Sequence, residues 1–344
     1  MKLALAALLL LAGYSFACIR IKDPPPAVPV PAPKQGSLVY LLGGVPEANT
    51  QEGSRQILVY DTKAQQFSKS ELELPEERVL AVASATGSIL VSGGMSKFDG
   101  DVVASTKKFT EEGGDGFEES APPIHDNVVG QAYVVLGDKL YTCGGADATL
   151  EEGTDACQTY SFADDTWTQM DAPMPEANFN AAAVTDASVN VYVLGGFSQG
   201  RPTTKVHRYD TAAGEWTPLA DLPASLQANQ GAAVYLDNSK EILACASVQA
   251  FPSQKIKCAL YSVAKDEWSL ELEDVLPAGQ NVPDSVQMIE CGGEVLLFGN
   301  YDEDSAEGTM KGLFKYDKAT RKLTTGEGLL QKENAVRYPA LFCA

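Results

Sequence analysis

Apolar and polar residues alternate along most of this chain in runs of about four to six residues, too short and too strictly two-fold to be helices. In 206–219 (VHRYDTAAGEWTPL) two alternating runs flank Asp210-Thr211-Ala212-Ala213-Gly214, a pattern that predicts two strands joined by a tight turn. Similar pairs recur throughout, so the pattern predicts an all-β protein of many short antiparallel strands.

The strands repeat as a unit. Gly-Gly closes an apolar run at Gly43-Gly44, Gly93-Gly94, Gly144-Gly145 and Gly195-Gly196, at spacings of 50, 51 and 51. Two further runs follow at Ala244-Cys245-Ala246 and Phe298-Gly299-Asn300, where the pair is degraded. After each comes an aromatic marker (Tyr60, Phe109, Tyr160, Tyr209, Tyr261, Tyr316), then a large apolar residue (Phe67, Phe117, Trp167, Trp216, Trp268, Leu323). Several units close on Leu-Pro or Met-Pro, as at Leu74-Pro75, Met174-Pro175, Leu222-Pro223 and Leu276-Pro277, where proline ends an outer strand at little cost.

A glycine pair, then Tyr-Asp, then Trp in units of about 50 residues resembles the kelch repeat. The fullest copy holds Gly195-Gly196, Tyr209-Asp210 and Trp216, while the second unit substitutes Lys108-Phe109 and Phe117. The resemblance implies a six-bladed β-propeller with four-stranded antiparallel blades. Approximate units are 37–75, 76–123, 124–175, 176–223, 224–277 and 278–344. The chain enters at a second strand (SLVYLLGG) and leaves at a first strand (NAVRYPALFCA), so 335–343 is expected to complete the first blade and close the ring.

Ahead of the repeats, Lys2, an apolar run and Ser15-Phe16-Ala17 predict a signal peptide over 1–17, with Cys18 first in the mature chain. Residues 18–36 form a Pro-rich linker, since proline lacks the ladder amide. The expectation is a secreted, extracytoplasmic protein; the alternative is a surface protein lipid-anchored through Cys18. No later run is long enough to span a bilayer as a helix.

An oxidising destination suits the cysteines. Aligning the repeats places Cys143 opposite Cys157 and Cys245 opposite Cys258 on successive strands, predicting two equivalent disulfides. Cys291 and Cys343 end the inner strands of the sixth and first blades, predicting a third bridge across the closure. No Cys-x-x-Cys pair exists and the histidines are His125 and His207, so no metal site and no cofactor are expected.

Candidate chemistry is sparse. Kelch propellers include copper radical oxidases and sialic-acid mutarotases, but two histidines do not align with a copper constellation. No catalytic residue is assigned. Asn127, Asn178, Asn229, Asn281 and Asn334 recur just before the inner strands, with Arg78 standing there in the second unit. Either the amides hold their loops, or they form a polar rim for a ligand; on the second reading Arg78, His125, Arg337 and Tyr338 break the symmetry and become binding candidates.

The 46 acidic and 26 basic residues leave a net charge of −20, which disfavours nucleic acid and anionic membranes and favours a cationic partner. Together these features predict a secreted or surface-tethered scaffold that binds an extracellular protein or other macromolecule through its loop rim. The alternatives are a mutarotase- or epimerase-like enzyme at the channel mouth, and an acidic cation-binding matrix protein.

Overall fold

A computed structural model describes residues 36–344 except 47–51, 87, 98–99, 110–115, 127, 228–230, 251–252, 273–285, 300–308, 311–312, 327–329 and 332–335. Its strands form six four-stranded antiparallel sheets arranged as the blades of a propeller. From the axis outward, blade 1 holds Ala340–Cys343, Leu38–Leu42, Ile57–Asp61 and Gln66–Lys69. Blade 2 holds Val82–Ala85, Ile89–Ser92, Thr106–Phe109 and Glu118–Ser120, and blade 3 Ala132–Leu136, Lys139–Cys143, Cys157–Ser161 and Thr166–Gln169. Blade 4 comprises Ala182–Thr185, Asn190–Leu194, Val206–Asp210 and Glu215–Pro218. Gly231–Leu236, Glu241–Ala250, Ser253–Ser262 and Glu267–Leu272 make blade 5, and Val286–Cys291, Glu294–Gly299, Leu313–Asp317 and Lys322–Thr325 make blade 6.

Each blade leaves two apolar faces, which the neighbouring blades cover. Buried clusters accordingly alternate with the blades: Leu243, Cys258, Leu297 and Phe314 lie between blades 5 and 6, and Tyr192, Leu194, Ile242 and Tyr261 between blades 4 and 5. Within a blade the aromatic markers pair across the third and outer strands, Tyr160 with Trp167 and Tyr261 with Trp268 at ring distances of 5.2 and 5.1 Å. Their indoles also stitch blades together. Trp167, Trp216 and Trp268 donate from Nε1 to Ala121 O, Ala172 O and Ala220 O of the preceding blade, at 2.9, 3.1 and 3.0 Å.

The glycine pairs form a second stitch, towards the following blade. Gly44, Gly94 and Gly145 donate their amides to Arg78 O, Val128 O and Asn178 O at 2.7, 2.9 and 2.9 Å. Both residues of each pair have positive φ, and a Cβ on Gly43 or Gly144 would collide with the Arg78 or Asn178 carbonyl. Only glycine meets both demands.

Three disulfides are present: Cys143–Cys157 and Cys245–Cys258 join residues directly opposed on second and third strands, and Cys291–Cys343 joins blade 6 to blade 1. The closing strand, expected to run through 335–343, pairs with Leu38–Leu42 only over Ala340–Cys343. Tyr338 has φ 55°, which turns the chain ahead of Pro339, and Val336–Arg337 pairs instead with Val45–Pro46.

Candidate functional site: the channel and the loop face

The inner strands enclose a channel of about 440 Å³. Its wall is made largely of small and branched apolar residues, including Ala81, Ala83, Ala183 and Val234. At the mouth where the inner strands begin, Leu80, Gly130, Asn180 and Tyr338 occupy equivalent positions with φ of 54°, 64°, 55° and 55°. Their amides run in sequence from blade to blade: Asn180 N donates to Gly130 O, Gly130 N to Leu80 O and Leu80 N to Tyr338 O, at 2.7, 3.0 and 3.5 Å. The left-handed turn aims each N–H sideways along the rim, and this girdle runs along the mouth over blades 1 to 4.

Deeper in, Tyr133 of blade 3 reaches past the alanines of blade 2 to blade 1. Its hydroxyl donates to Leu341 O at 3.2 Å and accepts from Leu341 N at 3.0 Å. Leu341 belongs to the closing strand, so both of its axis-facing backbone groups are satisfied by a side chain from two blades away. Burial pushes the Tyr133 phenol up to about 12. Among the described residues lining the channel, Glu290 is the one carboxylate, and no Lys, Arg or His is present. Glu290 Oε1 accepts from Lys318 Nζ at 2.5 Å.

Two of the described residues singled out in the sequence, Arg78 and Asn178, lie in the interior and not on an exposed rim. Arg78 corrects that expectation most sharply, because its side chain is fully buried. Its guanidinium donates to Gly93 O at 2.7 Å, Ser105 O at 3.0 Å, Ser105 Oγ at 2.6 Å and Glu76 Oε1 at 2.6 Å. A cation enters the interior here because three oxygens and a carboxylate replace its hydration. Burial lowers its pKa, with Glu76 opposing. Asn178 is also interior, at 5% exposure, and donates to Gly195 O at 3.3 Å.

The asparagine period is likewise out of register in blade 3. The residue there that accepts from the glycine pair, as Arg78 and Asn178 do, is Val128. Asn127, Asn229, Asn281 and Asn334 lie outside the described residues. His125 is half-buried in the segment leading into blade 3. Arg337 pairs with Val45 through its backbone, and Tyr338 packs on Val45, Val79, Leu80, Met95 and Val129.

Sequence reasoning did not find Tyr133 or the girdle. Tyr133 sits in an ordinary alternating run, and the girdle positions hold four different residue types, so neither leaves a compositional signal.

The geometry defines the class: a six-bladed β-propeller with its elaborated loops on one face. The solved structure of YjhT superposes on it with a TM-score of 0.63 at 14% identity, covering 86% of this chain and 98% of that one. The Kelch motif matches residues 190–223. Over 157 residues the chain is 29% identical to Kelch repeat and BTB domain-containing protein 13 of Homo sapiens, spanning 45% of this chain and 34% of that protein. Over 116 residues it is 32% identical to Kelch-like protein terF of Aspergillus terreus, spanning 31% and 25% respectively. The match thus takes in about a third and a quarter of the length of these two relatives. The chain is thus a six-bladed propeller that carries a Kelch motif at residues 190–223 and is similar over part of its length to kelch proteins.

Proposed function

We propose that the protein is a scaffold acting outside the cytoplasm that binds another macromolecule through the loops of its girdled face. The channel chemistry carries this reading. Acid/base catalysis needs groups of opposed protonation state within reach of one substrate atom. Among the described residues the channel offers one carboxylate already held by a lysine, the Tyr133 hydroxyl engaged by backbone, and Tyr235 with Lys240 over its ring. The loop face, in contrast, is built up with extra two-stranded pieces at Val45–Pro46 with Val336–Arg337 and at Phe197–Ser198 with Arg201–Pro202. An extracytoplasmic site of action rests on the leader-like residues 1–17 and is compatible with three disulfides.

Two variants separate binding on the loops from chemistry in the channel. Ala183→Phe fills the channel, and replacement of 148–153 by a short Gly-Ser turn alters the loop face at blade 3. Cross-linking of partners from extracellular fluid should survive the first and weaken with the second. Loss of capture with Ala183→Phe alone would overturn the proposal, and N-terminal sequencing of protein recovered from the medium should begin at Cys18.

A further inference from the structure

The layers between the blades are not alike. Among the described residues, the polar ones at most 1% exposed are Arg78, Ser92, Thr106, Thr142 and Gln158. Register places the last four between blades 2 and 3. Val82 and Leu90 of blade 2 and Leu140, Tyr160 and Trp167 of blade 3 form the buried cluster there. Ser92 stands opposite both Val82 and Thr106, and Ser84 opposite Leu90, so all three share that face of blade 2. In blade 3, Thr142 and Gln158 oppose each other two residues from Leu140 and Tyr160, on the face turned to blade 2. This layer is also the poorest in apolar burial. Its cluster has five buried members among the described residues, against seven to fourteen in the other five layers.

Some of these polar groups satisfy one another. Ser92 Oγ lies 2.9 Å from Thr106 Oγ1, which accepts from Trp167 Nε1 at 3.2 Å. The amides pair on one side only. Gln131 donates from Nε2 to Gly144 O at 3.4 Å, and Gln158 Oε1 accepts from Ile124 N at 2.9 Å. Backbone partners of fixed polarity set both amides, which leaves Gln131 Oε1 without a donor and Gln158 Nε2 without an acceptor. Ser84 Oγ and His125 Nε2 are buried without a partner as well. Each such group loses water on folding and gains no bond in return. Tyr192 Oη and Arg208 Nε are in the same state on the face of blade 4 turned to blade 5, but there thirteen buried apolar residues offset them.

We infer that the ring opens first along the seam between blades 2 and 3, and that this seam is a side entrance to the channel. Opening hydrates the unpartnered groups and gives up the smallest apolar layer, so it costs less here than at the other seams. The joint between blades 6 and 1, where the chain's two ends meet, is held covalently by Cys291–Cys343. Ser84 and Gln131 also line the channel, so a parted seam leads from solvent to the axis without passing the loop face. The device does not depend on what that face binds.

Hydrogen exchange on the intact protein, read residue by residue by NMR, tests this. Gly94 N, Gly130 N and Trp167 Nε1 donate across the seam, to Val128 O, Leu80 O and Ala121 O. Gly145 N, Asn180 N and Trp216 Nε1 do the same between blades 3 and 4, to Asn178 O, Gly130 O and Ala172 O. The first three should exchange at one common rate, at least about tenfold faster than the second three. Ser84→Ala/Gln158→Leu removes two of the unpartnered groups and should slow the first three about tenfold while leaving the second three unchanged. Ser84→Ala alone takes no partner from any other group, and should act in the same direction if Gln158→Leu lowers the melting temperature. Equal rates at the two seams, three unrelated rates within the first, or variants that slow both seams alike would overturn the inference.

Discussion

Arg78 and Asn178 stand at the same position of blades 2 and 4, and each donates its side-chain N–H to the carbonyl of the first glycine in its own blade's pair, Gly93 O or Gly195 O. Their own carbonyls accept from Gly44 and Gly145 of the preceding blade. One residue therefore ties its blade's glycine turn to the neighbour's. In blade 3, where Val128 has no donor, Gln131 takes over from three residues away, its Nε2 lying 3.4 Å from Gly144 O.

This double tie makes Arg78 a stability residue. Arg78→Ala leaves the Gly93 and Ser105 carbonyls without their donor and opens a cavity where a fully buried side chain stood. The half-exposed Glu76 can return to water, and the change should cost about 3 kcal/mol. Asn178→Ala removes one neutral hydrogen bond and should cost about 1 kcal/mol. Urea unfolding of the two variants checks the order; equal losses would mean that the guanidinium network contributes nothing beyond the shared backbone tie.

The glycine pairs should divide from glycines elsewhere. Gly144→Ala combines positive φ with a collision against Asn178 O, whereas Gly137 has positive φ but nothing within 4 Å of an added Cβ. Gly137→Ala should cost roughly 1 kcal/mol, the strain of a left-handed residue, and Gly144→Ala several times that. Thermal melts of the two proteins measure the difference.

Ring closure is held by the Cys291–Cys343 bridge, which spans 52 residues against 14 and 13 for the hairpin bridges. Removing it by Cys291→Ser/Cys343→Ser should cost about 4 kcal/mol, and removing either hairpin bridge about 3 kcal/mol, because the longer loop regains more entropy when unfolded. Denaturation of the three double-serine proteins tests the ranking.

Tyr133→Phe leaves the Leu341 N–H and carbonyl without their partner and should cost about 1–2 kcal/mol. It should also speed release of the C-terminal strand, seen as faster amide exchange at 340–343 and unchanged exchange in blade 4.

Alkaline pH should unfold the protein through its tyrosines. Burial pushes Tyr133, Tyr160 and Tyr192 up to about 12, from 10.0. Between those values the unfolded chain ionises them while the folded chain keeps its protons. The unfolded state therefore binds fewer protons, and stability falls as pH rises. It is complete below about pH 10 and lost progressively towards 12. Absorbance near 295 nm should show these phenols appearing together with unfolding; phenolate formed in a still-folded protein near pH 10 would contradict their burial.

The alternation of short runs, the period of the glycine pairs and the trailing aromatics were enough to read strands, blade number and family. Those features are local: a two-residue period decides strand from helix, and a repeat that cannot bury its faces alone must stack. The facing cysteines followed from the same period, since equivalent positions of successive strands oppose each other. Side-chain direction was not in the text. Arg78 reads as a surface cation and is fully buried, because only the assembled ring brings Gly93, Ser105 and Glu76 around it. Tyr133 likewise acquires its role from a strand 208 residues away. The sequence by itself determined the unit and its count; tertiary closure decided which polar groups became internal ties, because these depend on contacts between blades that no single repeat contains.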